Sequence, residues 1–167
     1  MGLVRWKVEA KDVSPRYYED IVGRYHGRPA SRQETLDAQA GYPSDDLVAP
    51  LGILLLARQG ANVLGCAGMQ VSPGDIGEVT RVFVEPAARG KGVGRRLMEE
   101  LERRSRVLGL DALRLDTRTD LVEARRLYAS LGFIEGKRTI RPPTRTTGSV
   151  KNWREGGFSS PAKDLAG

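Results

Sequence analysis

The chain has 167 residues, 40% of them hydrophobic and 29% charged, with a formal net charge of +6, the length and balance of one folded domain. No apolar run approaches the roughly 20 residues that a bilayer-crossing helix needs, and Met1-Gly2-Leu3-Val4-Arg5-Trp6 lacks the apolar region of a signal peptide. A cytoplasmic protein with no membrane partner is expected. One cysteine, Cys66, permits neither an internal disulfide nor a cysteine-based zinc site, and no residue cluster suggests another metal.

Val4, Trp6 and Val8 alternate with Arg5, Lys7 and Glu9, the period of a half-buried strand. Ser14-Pro15 then opens a helix with Tyr18, Ile21, Val22 and Tyr25 as its apolar stripe, and Ser31 with Glu34 forms a capping box for a second helix running through Leu36 to Ala40. His26 falls in a basic loop between the two. Residues 41–46 read as loop. Three strands follow, 51–58, 62–71 and 77–84, and their short connectors make them antiparallel neighbours.

Next comes the most informative stretch of the chain, residues 82–97, which passes from a β-branched apolar run through a basic glycine-rich turn into an amphipathic helix. Glycines at 90, 92 and 94 let backbone N–H groups approach an anion, and the helix start adds the positive end of its dipole. Arg89, Lys91, Arg95 and Arg96 strengthen that field. A dinucleotide fingerprint would need glycine at Arg95, and a Walker loop would need Ser or Thr after Gly-Lys. Beyond the loop, Val93, Leu97, Met98, Leu101 and Leu108 share one side of the helix and Gly109 stops it. A strand over 112–117 should lie parallel to the one at 77–84, because a whole helix separates them. Asp120 can cap a further helix that buries Leu121, Ala124, Leu127, Tyr128 and Leu131 and stops at Gly132, after which Phe133 begins another strand.

Residues 135–167 form an atypical basic tail with three prolines, five glycines and seven basic residues. It can serve as a lid, an arm swapped onto a partner in a homodimer, or a partly disordered segment, with 150–153 as a candidate closing strand. Residues 1–167 are expected to form a single domain. The charge invites comparison with nucleic-acid-binding proteins. Between Arg81 and Arg106, however, Phe83 is the one aromatic among the basic residues, too few to stack bases, and Arg103, Arg104 and Arg106 read as the solvated face of a helix.

The pattern Arg-x-x-Gly-x-Gly at Arg89, Gly92 and Gly94, preceded by residues 78–84 and followed by Ala124, Leu127-Tyr128 and Gly132-Phe133, resembles the acyl-CoA-binding loop of the GNAT superfamily of N-acetyltransferases. The similarity covers roughly residues 50–136. It implies a mixed α/β fold: a mostly antiparallel central sheet flanked by helices, with a splayed parallel strand pair at the cofactor site. It also implies acetyl-CoA as cosubstrate and direct acetyl transfer to a primary amine. Carried over by position, Val82, Phe83 and Val84 meet the pantetheine arm or the oxyanion through their backbone, and Arg89, Gly90, Lys91, Gly92, Val93, Gly94 and Arg95 hold the pyrophosphate.

Acyl transfer needs an unprotonated nucleophile, a stabilised oxyanion and a proton for the departing thiolate. An alkylammonium has a pKa of about 10.4, so a base is required, and Glu78 is the candidate. Periodicity alone makes Tyr128 a core aromatic; the resemblance makes it the acid that protonates the coenzyme sulfur. Leu121 departs from the family pattern, which often has asparagine there, and Asp120 or Thr119 could take its place. In related proteins a terminal hairpin completes the sheet, and the tail of this chain matches that poorly. Cys66 reads as strand packing, as Trp6 and Trp153 read as packing anchors. The expected acceptor is a small-molecule amine. A protein N-terminus or lysine, or a non-catalytic acyl-CoA-sensing module, are the alternatives.

Overall fold

The computed structural model describes residues 15–41, 47, 49–136 and 146–153. Two helices come first, α1 (Pro15–His26) and α2 (Arg32–Gly41), then strands β1 (Gly52–Gln59), β2 (Asn62–Ser72) and β3 (Ile76–Val84). A 3-10 turn at Pro86–Ala88 leads to α3 (Val93–Val107), β4 (Ala112–Arg118), α4 (Val122–Ser130), β5 (Ile134–Gly136) and β6 (Thr146–Asn152). The strands make one sheet in the order β1-β2-β3-β4-β6-β5. All neighbours are antiparallel except β3 and β4, as their crossover through α3 requires. The strand foreseen at 4–8, Trp6, the loop foreseen at 41–46 apart from Gly41, which ends α2, and the greater part of the tail lie outside the described residues.

Each face of the sheet carries its own apolar cluster. On one, α3 packs Leu97, Met98 and Leu101 onto Leu55, Ala67, Met69 and Leu113, all nearly inaccessible to water, and Tyr128 of α4 joins them. On the other, Tyr17 and Tyr18 of α1 meet Leu54, Leu56, Cys66 and Phe83. The alternation of each strand feeds both clusters, since successive side chains leave the sheet on opposite sides.

Several local expectations change in the fold. The buried stripe of α1 runs through Tyr17 and Tyr18 rather than along Ile21 and Tyr25, which are 46% and 61% exposed; the helix meets the sheet with its N-terminal turn. His26 ends α1, with Nε2 3.8 Å from Glu34, and is not a loop residue. Leu108 lies past the last turn of α3 and is exposed, and buried Ser105 takes the inward place. Asp120 caps nothing: its carboxylate receives two hydrogen bonds from Arg118, and Leu121 stands at the α4 N-cap without a side-chain cap. The closing strand begins at Thr146, earlier than 150, and lies between β4 and β5.

The capping box at α2 forms as expected, with Glu34 N donating to Ser31 Oγ at 3.2 Å and Ser31 N to Glu34 Oε2 at 2.8 Å. Trp153 does anchor packing, donating Nε1–H to the Leu110 carbonyl at 2.7 Å beneath the Arg106 guanidinium. Leu97 is fully buried where α3 seats on the sheet, so Leu97→Ala should lower stability by about 2–5 kcal/mol, read as a lower urea midpoint with an unchanged slope.

Candidate active site

Pairing between β3 and β4 lasts for three rungs, Ile76 with Ala112, Gly77 with Leu113 and Glu78 with Arg114. Beyond them the strands part. The cause lies on the other edge of β3, where two residue steps along β2 (Cys66 to Gly68) face three along β3 (Phe83 to Thr80). The extra residue makes a bulge at Arg81, which has φ +56°. A bulge bends its strand and increases the local twist, and here β3 turns out of reach of β4. The strained residue is held from both sides: Cys66 Sγ donates to its carbonyl at 3.1 Å, and its guanidinium lies 5.8 Å from the centre of the Tyr17 ring.

The bulge also aims the backbone. The Arg81 carbonyl faces Cys66, so across the trans peptide the Val82 N–H faces away from β2. The Phe83 carbonyl is directed at Gly65, where an added Cβ would come within 2.5 Å of it, so the Val84 N–H likewise points into the gap. Phe83 itself serves the fold, its ring 6.2 Å from that of Tyr17.

At the end of β3 the chain enters the glycine loop. Gly90 and Gly92 have φ of +73° and +78°, which glycine adopts without the penalty a side chain brings. Gly92 is the N-cap of the 15-residue helix α3, and no side chain caps that end. The first-turn amides, with the positive end of the helix dipole, have the arrangement to receive an anion. Gly94 lies within α3 and lines the cleft, and an added Cβ there would come 3.1 Å from Leu127 Cδ2 and 3.5 Å from Val84 Cγ2. Arg89 is fixed by bonds to the Val84 carbonyl (3.1 Å) and Asp20 (3.4 Å), and Arg95 by Ser130 Oγ (2.7 Å). Lys91 and Arg96 are exposed beside the loop.

The gap and the loop belong to one cleft of about 720 Å³, which reaches from Glu78 and Arg114 at its inner end to Gly90, Gly92 and Arg95, with α1 along one rim and Leu121, Ala124 and Tyr128 of α4 along the other. Tyr128 is buried, its ring 5.9 Å from Phe133. Burial raises its phenol pKa, and the nearby Tyr17 adds to the effect. Glu78 is joined to Arg114 by an ion pair. Arg24, paired within α1 to Asp20 (2.9 Å), ties that helix to the other rim through Glu123 (3.3 Å).

Among the lining residues that carried no motif in the sequence are Tyr17, Arg114 and Asp116. The alternation of charged and apolar residues over 112–118 does put Arg114, Asp116 and Arg118 on one face. Only the packing of α1 shows which face that is. Among the described residues no group of His, Cys, Asp and Glu side chains has the arrangement to hold a metal ion, and no helix is long and apolar enough to cross a membrane.

An open strand edge that can pair with amides, leading onto an uncapped helix start that can hold phosphates, defines an acyltransferase that draws its acyl group from a coenzyme A thioester. The model of the acetyltransferase (GNAT) family matches residues 15–133, and the chain belongs to that family. An IAA acetyltransferase of Azospirillum brasilense is 38% identical over 121 residues, 72% of this chain and 71% of that protein. The N-alpha-acetyltransferase RimI of Mycobacterium tuberculosis is 36% identical over 96 residues, 53% of this chain and 56% of the relative. A mycothiol acetyltransferase of Thermobifida fusca is 39% identical over 96 residues, 56% of this chain but only 28% of that longer protein. The fold is shared with the PaiA N-acetyltransferase of Thermoplasma acidophilum in complex with coenzyme A, at a TM-score of 0.73 and 15% identity over 91% of this chain and all of that one.

Burial pushes the Cys66 thiol up to about 12, which leaves about one part in 10⁴ as thiolate at pH 8. An aromatic disulfide reagent should therefore leave the native protein unlabelled and titrate the one thiol only on unfolding; rapid labelling of the native state would contradict the placement of Cys66 under the bulge.

Proposed function

We propose that the protein transfers acetyl from acetyl-CoA directly to a primary amine of a small molecule, and that residues 1–167 act as one domain in doing so. The observation that carries this reading is the unpaired stretch of β3, whose Val82 and Val84 amides face the gap and whose end runs into the Gly90–Gly92 turn. The pantetheine amides pair with this edge, and the first turn of α3 receives the pyrophosphate. The same edge supplies an N–H to the oxyanion of the tetrahedral intermediate.

Glu78 takes the proton of the attacking amine, directly or through a water, while Arg114 keeps its carboxylate in place. The amine nitrogen bonds to the thioester carbon, the carbon–sulfur bond breaks, and Tyr128 protonates the departing thiolate. A phenol of raised pKa suits that task, because the desolvation that strengthens its hold on the proton acts on the thiolate as well. The relatives differ in the acceptors their names carry, so the cleft itself guides the choice. Its α1 side presents Arg24, Arg114 and Arg118 among Asp20, Glu78 and Asp116, a balance that favours a small amine over a strongly basic peptide.

Thiol release from acetyl-CoA over a panel of amines tests the reading. Tyr128→Phe should bind coenzyme A like the wild type and lose about 10²-fold in kcat; unchanged turnover would remove Tyr128 from the chemistry. Burial keeps the wild-type phenol protonated, so kcat should show no alkaline decline from this group up to pH about 10. Glu78→Gln should lose a similar factor at pH 7 and recover as the pH approaches about 10.4, where the amine no longer needs a base. A deficit that stayed constant with pH would exclude the base role.

A further inference from the structure

From the last rung shared with β3 onward, strand β4 presents Arg114, Asp116 and Arg118 in succession on the α1 face of the sheet, all lining the cleft. The two arginines are engaged. Arg114 pairs with Glu78, and Arg118 is held by Asp120 at 2.9 and 3.0 Å and by the Arg24 carbonyl at 3.5 Å. Asp116 between them differs. Its Oδ1 is buried yet accepts no hydrogen bond among the described residues. Leaving a buried acceptor without a donor costs the desolvation of that group, and more when it is charged. The strand spends this cost where the sheet opens.

Asp116 lines the cleft, so a ligand bound there can bring the missing donor, and its chemistry follows from the position. Tyr128 reaches the cleft from the α3 and α4 face, where the thiolate leaves. Asp116 stands on the opposite face, among α1 residues, where a nucleophile would enter. A neutral donor would leave the carboxylate charge uncompensated, whereas an ammonium supplies hydrogen-bond donors and the opposite charge together.

We infer that Asp116 binds the acceptor as its ammonium ion, so that acceptors are alkyl amines, cationic at neutral pH, rather than arylamines or alcohols. The inference rests on the acetyl transfer proposed above. Asp116 holds the cation, Glu78 removes one proton, and the nitrogen lone pair then attacks the thioester. The amide that forms carries no charge, loses its attraction to Asp116 and leaves. Asp116 is thus a specificity-determining residue, expressed in acceptor KM, while Glu78 is expressed in kcat.

The test has two arms. In the first, protein loaded with coenzyme A is titrated with butylammonium and, separately, with its neutral counterpart 1-butanol, following backbone amide chemical shifts. Butylammonium should give saturable shifts at residues 114–118 and 1-butanol should not; equal responses, or shifts confined elsewhere, would overturn the inference. In the second, Asp116→Asn should raise the KM for butylamine about ten-fold or more, with kcat and the coenzyme A affinity close to wild type. A variant with wild-type KM, or with its loss in kcat alone, would overturn it. If Asp116→Asn does not fold, Asp116→Ser takes its place, and the butylammonium and 1-butanol comparison on the wild type decides without either. Wild-type protein that binds coenzyme A and butylammonium but acetylates no amine would refute the transfer reaction while upholding the cation site. Normal turnover with an indifferent Asp116→Asn would do the reverse.

Discussion

Parallel pairing between β3 and β4 stops after Glu78 and Arg114 because one surplus residue, Arg81, is built into β3 on its β2 side. A non-glycine residue at positive φ costs on the order of 1 kcal/mol or more, and the surrounding structure holds it in place. Cys66 donates to its carbonyl, the Tyr17 ring lies near its guanidinium, and both belong to the cluster beneath α1. The packing of that helix and the opening of the sheet are one arrangement. If β3 regained regular pairing, its amides would be spent on a neighbour and no edge would remain for the arm of a cosubstrate.

The same constraint sorts the chemistry by face. Tyr128 comes from the α3 and α4 side and Asp116 with Arg114 from the α1 side, so side chains from both faces of the sheet meet at the gap. In an intact sheet these faces would be insulated from each other by a layer of backbone.

The glycine loop is more autonomous. Gly90, Gly92 and the uncapped start of α3 take their form from local backbone preferences, and the buried stripe of α3 fixes its direction against the sheet. Arg89 and Arg95 are tethered to the protein, at the Val84 carbonyl and Asp20 for one and at Ser130 for the other. These bonds join α1, β3 and α4 about the loop, and both arginines also line the cleft.

Local pattern was enough for most of the elements, because period, caps and turn residues act within a few positions of each other. The three antiparallel strands, the capping box of Ser31 and Glu34, the glycine loop and the parallel return at β4 could all be read from the chain, along with Tyr128 and Glu78 as residues to examine. What the sequence could not convey depended on contacts between distant segments. Which side of α1 is buried was settled by the sheet it meets, so Tyr17 was missed and Ile21 misplaced. Asp120 looked like a helix cap until Arg118 was found beside it. The bulge at Arg81 has no signature in a residue that seldom adopts that conformation, and Asp116 reads as an ordinary outward strand position. Its meaning arises only where β3 has turned away, because an oxygen is buried or left without a donor by everything that surrounds it, and those surroundings are assembled from α1, β3 and β4 together.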